Sequence, residues 1–303
     1  MFIFNEWWYV LILASVMIIS GLVKQYSLFE PVYSYLIKKV KNKKILVVLL
    51  SFLGGVLPIP GRVIVSAGLL DTIAPIDPPK RAKFGIVDYL ATHHYYLWSP
   101  LEKTILIPMA VLKLSYLGVL AYTWPLLLVS LLFLIGYIVK LASDDVYADT
   151  ADFLTPKDKP AYKAWYQFIN WNTLILVGVV IIAGNFIKEY SISLKGYVET
   201  VAHGVGYGNF TFFAASLMAF TASLIMGSSG KFAGMTALLT SIFGLPYLTY
   251  IFAIEFAGYL LSPCHKCVAI GMSYFNTPMK DYYKVILLWS ALLISVGIIT
   301  LFI

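Results

Sequence analysis

The chain is expected to be an all-α polytopic membrane protein made of two inverted-topology repeats. Each repeat is read as three crossings, one of them broken at Ser-Pro, plus a re-entrant helical hairpin. Three observations carry this expectation: the hydropathy of the chain, two signatures that recur in register, and Gly/Pro breaks inside apolar stretches. The 303 residues are 60% hydrophobic and 12% charged, with a mean hydropathy of +0.83, whereas a soluble domain carries about 25% charge. Trp8–Val23, Leu117–Val139, Leu174–Ile187 and Val285–Ile303 are apolar over much or all of the roughly 20 residues a bilayer span needs.

The duplication is local and specific. Gly21-Leu-Val-Lys24-Gln-Tyr26-Ser27 is echoed by Gly184-Asn-Phe-Ile-Lys188-Glu-Tyr190-Ser191, a shift of 164 from Lys24 to Lys188. Ser99-Pro100-Leu-Glu102-Lys103 is echoed by Ser262-Pro263-Cys-His-Lys266, a shift of 163. Between them, Pro60-Gly61-Arg62 and Ser229-Gly230-Lys231 form a third pair, shifted by 169. Internal repeats in so hydrophobic a chain mark transporter-type folds, whose binding sites lie where the repeats meet. The expected organisation is a first repeat over 1–141, a polar linker over 142–168 and a second repeat over 169–303.

Each repeat reads in the same order. A full span comes first, at 7–24 and 170–187. The first of these starts with an acidic residue, Glu6, and no small-residue cleavage site follows, so it reads as a retained helix rather than a signal peptide. A mixed segment, 25–43 or 188–207, is too polar to span and is expected at the interface. Next comes a hairpin, with arms 45–57 and 62–70 in the first copy and 209–226 and 231–241 in the second. Such arms are short for a crossing and suit re-entry. A segment broken at Ser-Pro follows (84–98 with 100–114; 247–261 with 263–275), then a last full span at 117–140 or 282–303.

Three crossings per repeat turn the second copy upside down relative to the first. With the N-terminus outside, Lys38, Lys39, Lys41, Lys43, Lys44, Lys80, Arg81, Lys83, Lys157, Lys159, Lys163 and Lys280 share one side. Mainly Lys113, Lys188 and Lys195 fall on the other, which fits the positive-inside rule and makes the linker cytoplasmic. The net charge of +7 is thereby explained by orientation, and no nucleic-acid partner is expected. Ser143–Tyr166, with five aspartates and three lysines, reads as a solvated connector. Two cysteines, Cys264 and Cys267, make no disulfide framework.

The candidate site comes from the breaks. Ser-Pro inside an apolar segment reads as a helix restart, with Ser99 or Ser262 capping and the proline as first helical residue. Lys103 and Lys266 then fall in the first turns of two half-helices, and Arg62 and Lys231, after Gly61 and Gly230, open the second hairpin arms. A cation beside a positive dipole end is unfavourable, and a buried one costs about 2.5–3.5 kcal/mol on insertion scales. Four such positions against Glu102 and Glu255, with Asp88 further out, leave an electropositive site suited to an anion. The competing reading is that Glu102 and Glu255 pair with two of the cations while the others reach water.

Glu255, alone in its apolar segment, is a candidate for proton coupling, as is His265. Cys264-His265-Lys266-Cys267 offers ligands within one turn, but no second pair is evident, so packed thiols are expected and no metal or other cofactor. His93-His94 could relay protons, although a polar helix end near water is the plainer reading.

Gly54-Gly55-Val-Leu-Pro58-Ile-Pro60-Gly61, followed by Val65-Ser66-Ala67, resembles an uncharacterised prokaryotic membrane family of unknown function, family 401. Ser262-Pro263-Cys264-His265-Lys266-Cys267 is similar to that family's second signature, Ser-Pro followed by His and Cys. The family is grouped with the ion-transporter superfamily, alongside gluconate- and dicarboxylate-type permeases. The resemblance implies inverted repeats, re-entrant hairpins, a homodimer and elevator-like or rocking transport. The hairpin tips lack the Ser-Asn-Thr motif of the dicarboxylate branch, and Arg62 stands where a small residue is usual, so sodium coupling is not expected.

The resulting expectation is a secondary transporter for a small anion in a prokaryotic cell membrane, driven by protons or exchange. The runner-up is a transporter or flippase of an anionic lipid such as a polyprenyl phosphate. An intramembrane lipid-phosphate enzyme using His265 or His93 ranks lower, because no nucleophile or metal constellation is visible and no catalytic residue is assigned.

Overall fold

The computed structural model describes residues 7–26, 28, 30–56, 66–67, 70, 78–140, 163–169, 171, 174–175, 178–179, 182 and 208–302. Among them, every regular element is helical. The first-hairpin tip with Gly61 and Arg62, most of the linker and the 188–207 segment lie outside the described residues, as does much of the 170–187 span.

The first half runs α1 (Trp7–Gln25), α2 (Glu30–Lys39), α3 (Lys43–Val56), α4 (Pro78–His93), α5 (Lys103–Leu112) and α6 (Tyr116–Val139). The second runs α7 (Gly208–Met226), α8 (Ser229–Phe243), α9 (Leu248–Leu261), α10 (Lys266–Phe275) and α11 (Met279–Ile299). Helices α4 and α5 are separated by a 3-10 turn at His94–Leu97. Helix α4 begins with two prolines, whose fixed φ and missing N–H suit a first turn. It therefore takes in Lys80, Arg81 and Lys83 before the apolar segment that was expected to open at residue 84.

Among the described residues, two helices are long and apolar enough to cross a membrane: α6, with 24 residues, and α11, with 21. At 1.5 Å per residue they reach about 36 and 32 Å, against a hydrocarbon core of about 30 Å. A third candidate is Leu245–Leu261 with Lys266–Met272, bent by 43° at its break. The outward faces of α6 and α11 are apolar, with Leu117, Trp124, Leu128, Leu132, Leu287, Leu288 and Ile299 exposed. Apolar surface on that scale fits lipid rather than water. These are the features of a helical membrane protein.

Helices α7 and α8 double back on each other. Phe212 near the start of α7 meets Phe243 at the end of α8, ring centroids 5.1 Å apart. Both arms lie on α9. A side chain at Gly258 of α9 would come within 2.6 Å of the Phe220 carbonyl oxygen, so α7 seats there only because the position is glycine. The halves interlock where α5 packs on α8 and α10 on α4, while α9 packs on α11 within the second half. Trp289 of α11, fully buried, donates to Ser130 Oγ of α6 at 3.1 Å. Tyr282 of α11 donates to the Gly85 carbonyl of α4 at 2.7 Å.

Candidate functional site at the meeting of the chain breaks

The two Ser-Pro breaks fold alike, residue for residue. The N–H of Glu102 reaches the Ser99 carbonyl at 3.0 Å, and the N–H of His265 reaches the Ser262 carbonyl at 3.1 Å. Each break is therefore a turn with proline at its second position, the place where a fixed φ is favoured. Ser99 Oγ accepts from the Leu101 N–H at 3.4 Å, and Ser262 Oγ from the Cys264 N–H at 3.2 Å.

This corrects the expected restart. Pro100 and Pro263 belong to the turns, and the helix N-caps are Glu102 and His265, neither of which caps through its side chain. The serines hold the turns instead of the helix ends. Lys103 and Lys266 are consequently the first residues of α5 and α10. Both helices end alike too: Lys113 (φ 55°) and Asn276 (φ 49°) adopt the left-handed conformation. The N–H groups of Leu114 and Thr277 then bond the carbonyls of Met109 and Met272, both at 3.2 Å.

The hairpin tip and both breaks come together. The tip residue Gly227 has φ +54°, and a Cβ there would fall 2.7 Å from Ser262 Oγ, 2.8 Å from the Cys264 carbonyl carbon and 2.9 Å from the His265 nitrogen. Phe232, in the first turn of α8, lies 5.3 Å from the Tyr259 ring and 6.5 Å from the Tyr96 ring. Tyr96 in turn accepts at its carbonyl from Thr104 Oγ1 at 2.6 Å, next to the start of α5. Tyr259 donates to the hydroxyl of Tyr96 at 3.0 Å. These two tyrosines are 163 positions apart, the same shift that relates Ser99 to Ser262.

The N-terminal ends of α5, α8 and α10 thus converge, each with a lysine in its first turn. Lys103 is half-buried, and Lys231 and Lys266 are exposed. Ser99, Ser262, Gly230, Glu102, Glu255 and His265 are all buried. Glu255 faces the hairpin, where Ser223 Oγ of α7 donates to Oε2. Glu102 stays at the first break as the N-cap of α5.

His93, expected as a polar helix end near water, lies in the interior instead. It is fully buried, and its Nε2 lies 3.2 Å from Nε2 of His265. Its Nδ1 is 2.7 Å from the Tyr89 carbonyl and 3.1 Å from Thr92 Oγ1. His265 Nδ1 is 3.1 Å from the Tyr89 hydroxyl, which also donates to the Leu260 carbonyl at 3.0 Å. The Tyr89 ring stacks on His93 at 4.0 Å, and Tyr259 covers His265 at 4.1 Å. Cys267 brings its sulfur to the same place, so that the three ligand atoms lie within 4.8 Å of one another. The signal for His93 was its position just before a break whose counterpart holds a histidine.

Residues 127–303 match the family described as "Protein of unknown function (DUF401)". No curated protein and no solved structure matches the chain.

Proposed function

The chain belongs to the DUF401 family, and from that premise we propose that it is a secondary membrane transporter for a small anionic substrate. The observation that carries the reading is the convergence of three half-helix N-termini with Lys103, Lys231 and Lys266 in their first turns. Aligned backbone N–H groups and their dipoles favour negative charge at such ends. Further support comes from the matched folding of the two breaks and from the Tyr96–Tyr259 contact. Residues related by an internal two-fold axis meet each other only on that axis. Inverted repeats, a re-entrant α7–α8 hairpin, an outside N-terminus with a cytoplasmic linker, a homodimer and kinship with gluconate- and dicarboxylate-type permeases belong to this proposal. So does proton coupling through Glu255.

The test is the thermal stability of the detergent-purified protein against carboxylates, phosphate, sulfate and a short-chain polyprenyl phosphate. A ligand that binds only the folded state adds about 2.7 kcal/mol at a hundredfold excess over Kd. Stabilisation by a soluble anion, lost in Lys266→Ala and Arg62→Ala, is the expected result. One observation favours the anionic-lipid reading: Ile225 and Met226, just before the tip, are exposed, so apolar surface runs up to Lys231. Stabilisation by the polyprenyl phosphate alone would select it. Indifference to every anion would overturn both readings.

A further inference from the structure

The histidine pair has a fixed tautomeric logic. Thr92 Oγ1 donates its proton to the Asp88 carbonyl at 2.7 Å, so both neighbours of His93 Nδ1, Thr92 Oγ1 and the Tyr89 carbonyl, act as acceptors. The hydrogen-bond network therefore assigns the N–H of His93 to Nδ1. The single hydroxyl proton of Tyr89 goes to the Leu260 carbonyl, which leaves that oxygen to accept from His265 Nδ1. Both imidazoles then present Nε2 lone pairs to each other at 3.2 Å. Two lone pairs held at that separation call for a cation between them.

We propose that His93, His265 and Cys267 form a binding site for a divalent transition-metal ion of the zinc type. A tetrahedral ion with Zn–N of about 2.0–2.1 Å spaces two ligand nitrogens by about 3.3 Å, close to the separation present. Each histidine donates its other ring N–H to an oxygen, the outer-shell arrangement that orients metal-ligating imidazoles. One ring nitrogen of each histidine and the Cys267 sulfur lie within 4.8 Å of one another; a bound ion needs N···S of about 3.6 Å, so the sulfur has at most about 1 Å to move on loading. Two imidazoles and one thiolate suit zinc, cobalt, nickel or copper and exclude magnesium and calcium. On binding, Cys267 releases its thiol proton and becomes the thiolate ligand.

The site joins the first broken segment to the second. His93 ends α4, His265 caps α10, and Cys267 is the second residue of α10. An ion there ties the two breaks together across the halves. Three protein ligands also leave one tetrahedral position open to an exogenous ligand. The inference stands independently of the anion-transport reading, because metal binding is measured directly.

The experiment is a cobalt(II) chloride titration of the full-length, chelator-treated protein in detergent, followed by absorption spectroscopy. The expected result is one cobalt per chain, with tetrahedral ligand-field bands in the visible and a thiolate-to-cobalt charge-transfer band in the near ultraviolet. Cys267→Ser abolishes the charge-transfer band, while Cys264→Ser leaves the spectrum unchanged. Tyr89→Phe removes the oxygen that orients His265 and weakens binding by about 10- to 100-fold. His93→Gln abolishes tetrahedral binding; should that variant not fold, the cysteine pair decides, since serine is nearly isosteric. Absence of stoichiometric cobalt in the wild type, or a charge-transfer band that survives Cys267→Ser, overturns the proposal. The first outcome would leave a shared proton between the imidazoles as the cation.

Discussion

Gly227→Ala separates a seated hairpin tip from one that merely passes nearby. Two costs arise from the geometry. At φ +54° an L-residue incurs about 1–2 kcal/mol for the left-handed conformation. The new methyl would also stand 2.7–2.9 Å from Ser262 Oγ, the Cys264 carbonyl carbon and the His265 nitrogen. Comfortable contact begins near 3.5 Å, so the tip must retreat by close to 1 Å or the second break must deform. Two of the three obstructing atoms are backbone, so no rotamer change relieves them. Overpacking of that kind costs about 1–3 kcal/mol.

The expected total is a loss of about 2–5 kcal/mol in unfolding free energy, summed from these two terms. It is read from an SDS titration in mixed micelles. Gly136→Ala is the control, since nothing lies within 4 Å of a Cβ at that position in α6. Alanine there should be neutral or stabilise by about 0.5–1 kcal/mol. A Gly227→Ala protein within about 0.5 kcal/mol of wild type would refute the seating of the tip on the break, because even the backbone term exceeds that.

Four more outcomes are expected. Tyr96→Phe or Tyr259→Phe alone should cost about 1–3 kcal/mol, because each removes the hydrogen bond between two buried hydroxyls. The double variant should cost less than the sum, with a coupling of about 0.5–3 kcal/mol in the same titration; strict additivity would mean the two hydroxyls do not meet. Ser223→Ala should cost about 1–3 kcal/mol by withdrawing the donor to buried Glu255. Glu255→Gln keeps an acceptor for Ser223, so it should fold normally while losing proton-driven uptake; full uptake at unchanged pH dependence would remove Glu255 from coupling. Gly258→Ala, whose Cβ would meet the Phe220 carbonyl at 2.6 Å, should cost about 1–3 kcal/mol. It should also speed hydrogen exchange in α7; unaltered exchange would mean the hairpin is not held there.

Much of the helix pattern was legible because hydropathy and breakers report directly on local structure. The expected arms 209–226 and 231–241 are found as Gly208–Met226 and Ser229–Phe243, and the last span at 282–303 as Met279–Ile299. Lysine in the first turn after each break was likewise readable, because the breaks recur in register. The restart residue was not. Ser-Pro is compatible with both a helix N-cap and a turn, and only the carbonyl-to-N–H closure of Ser99 with Glu102 and Ser262 with His265 selects the turn. Helix α4 starting at Pro78 was missed because its first turn holds two prolines and two charged residues, and such a turn looks like a loop in a hydropathy reading.

The candidate site divides the same way. The lysines at helix starts and the buried carboxylate Glu255 could be named from local pattern; at the hairpin the pattern pointed to Gly230, which lies in α8, whereas the tip residue with φ +54° is Gly227. The pairing of His93 with His265 could not, because they are 172 positions apart. Nothing in either neighbourhood states which way its ring will face. By itself the sequence determined the apolar helices, the repeated breaks and where the half-helices begin to within a few residues, since those follow from short-range sterics and transfer from water. The tertiary structure alone decided that the tip of α7–α8 lies on the second break, that Tyr96 meets Tyr259, and that two imidazoles and a thiol share one buried place. Such contacts depend on how whole helices cross, and packing settles that only once the chain has closed on itself.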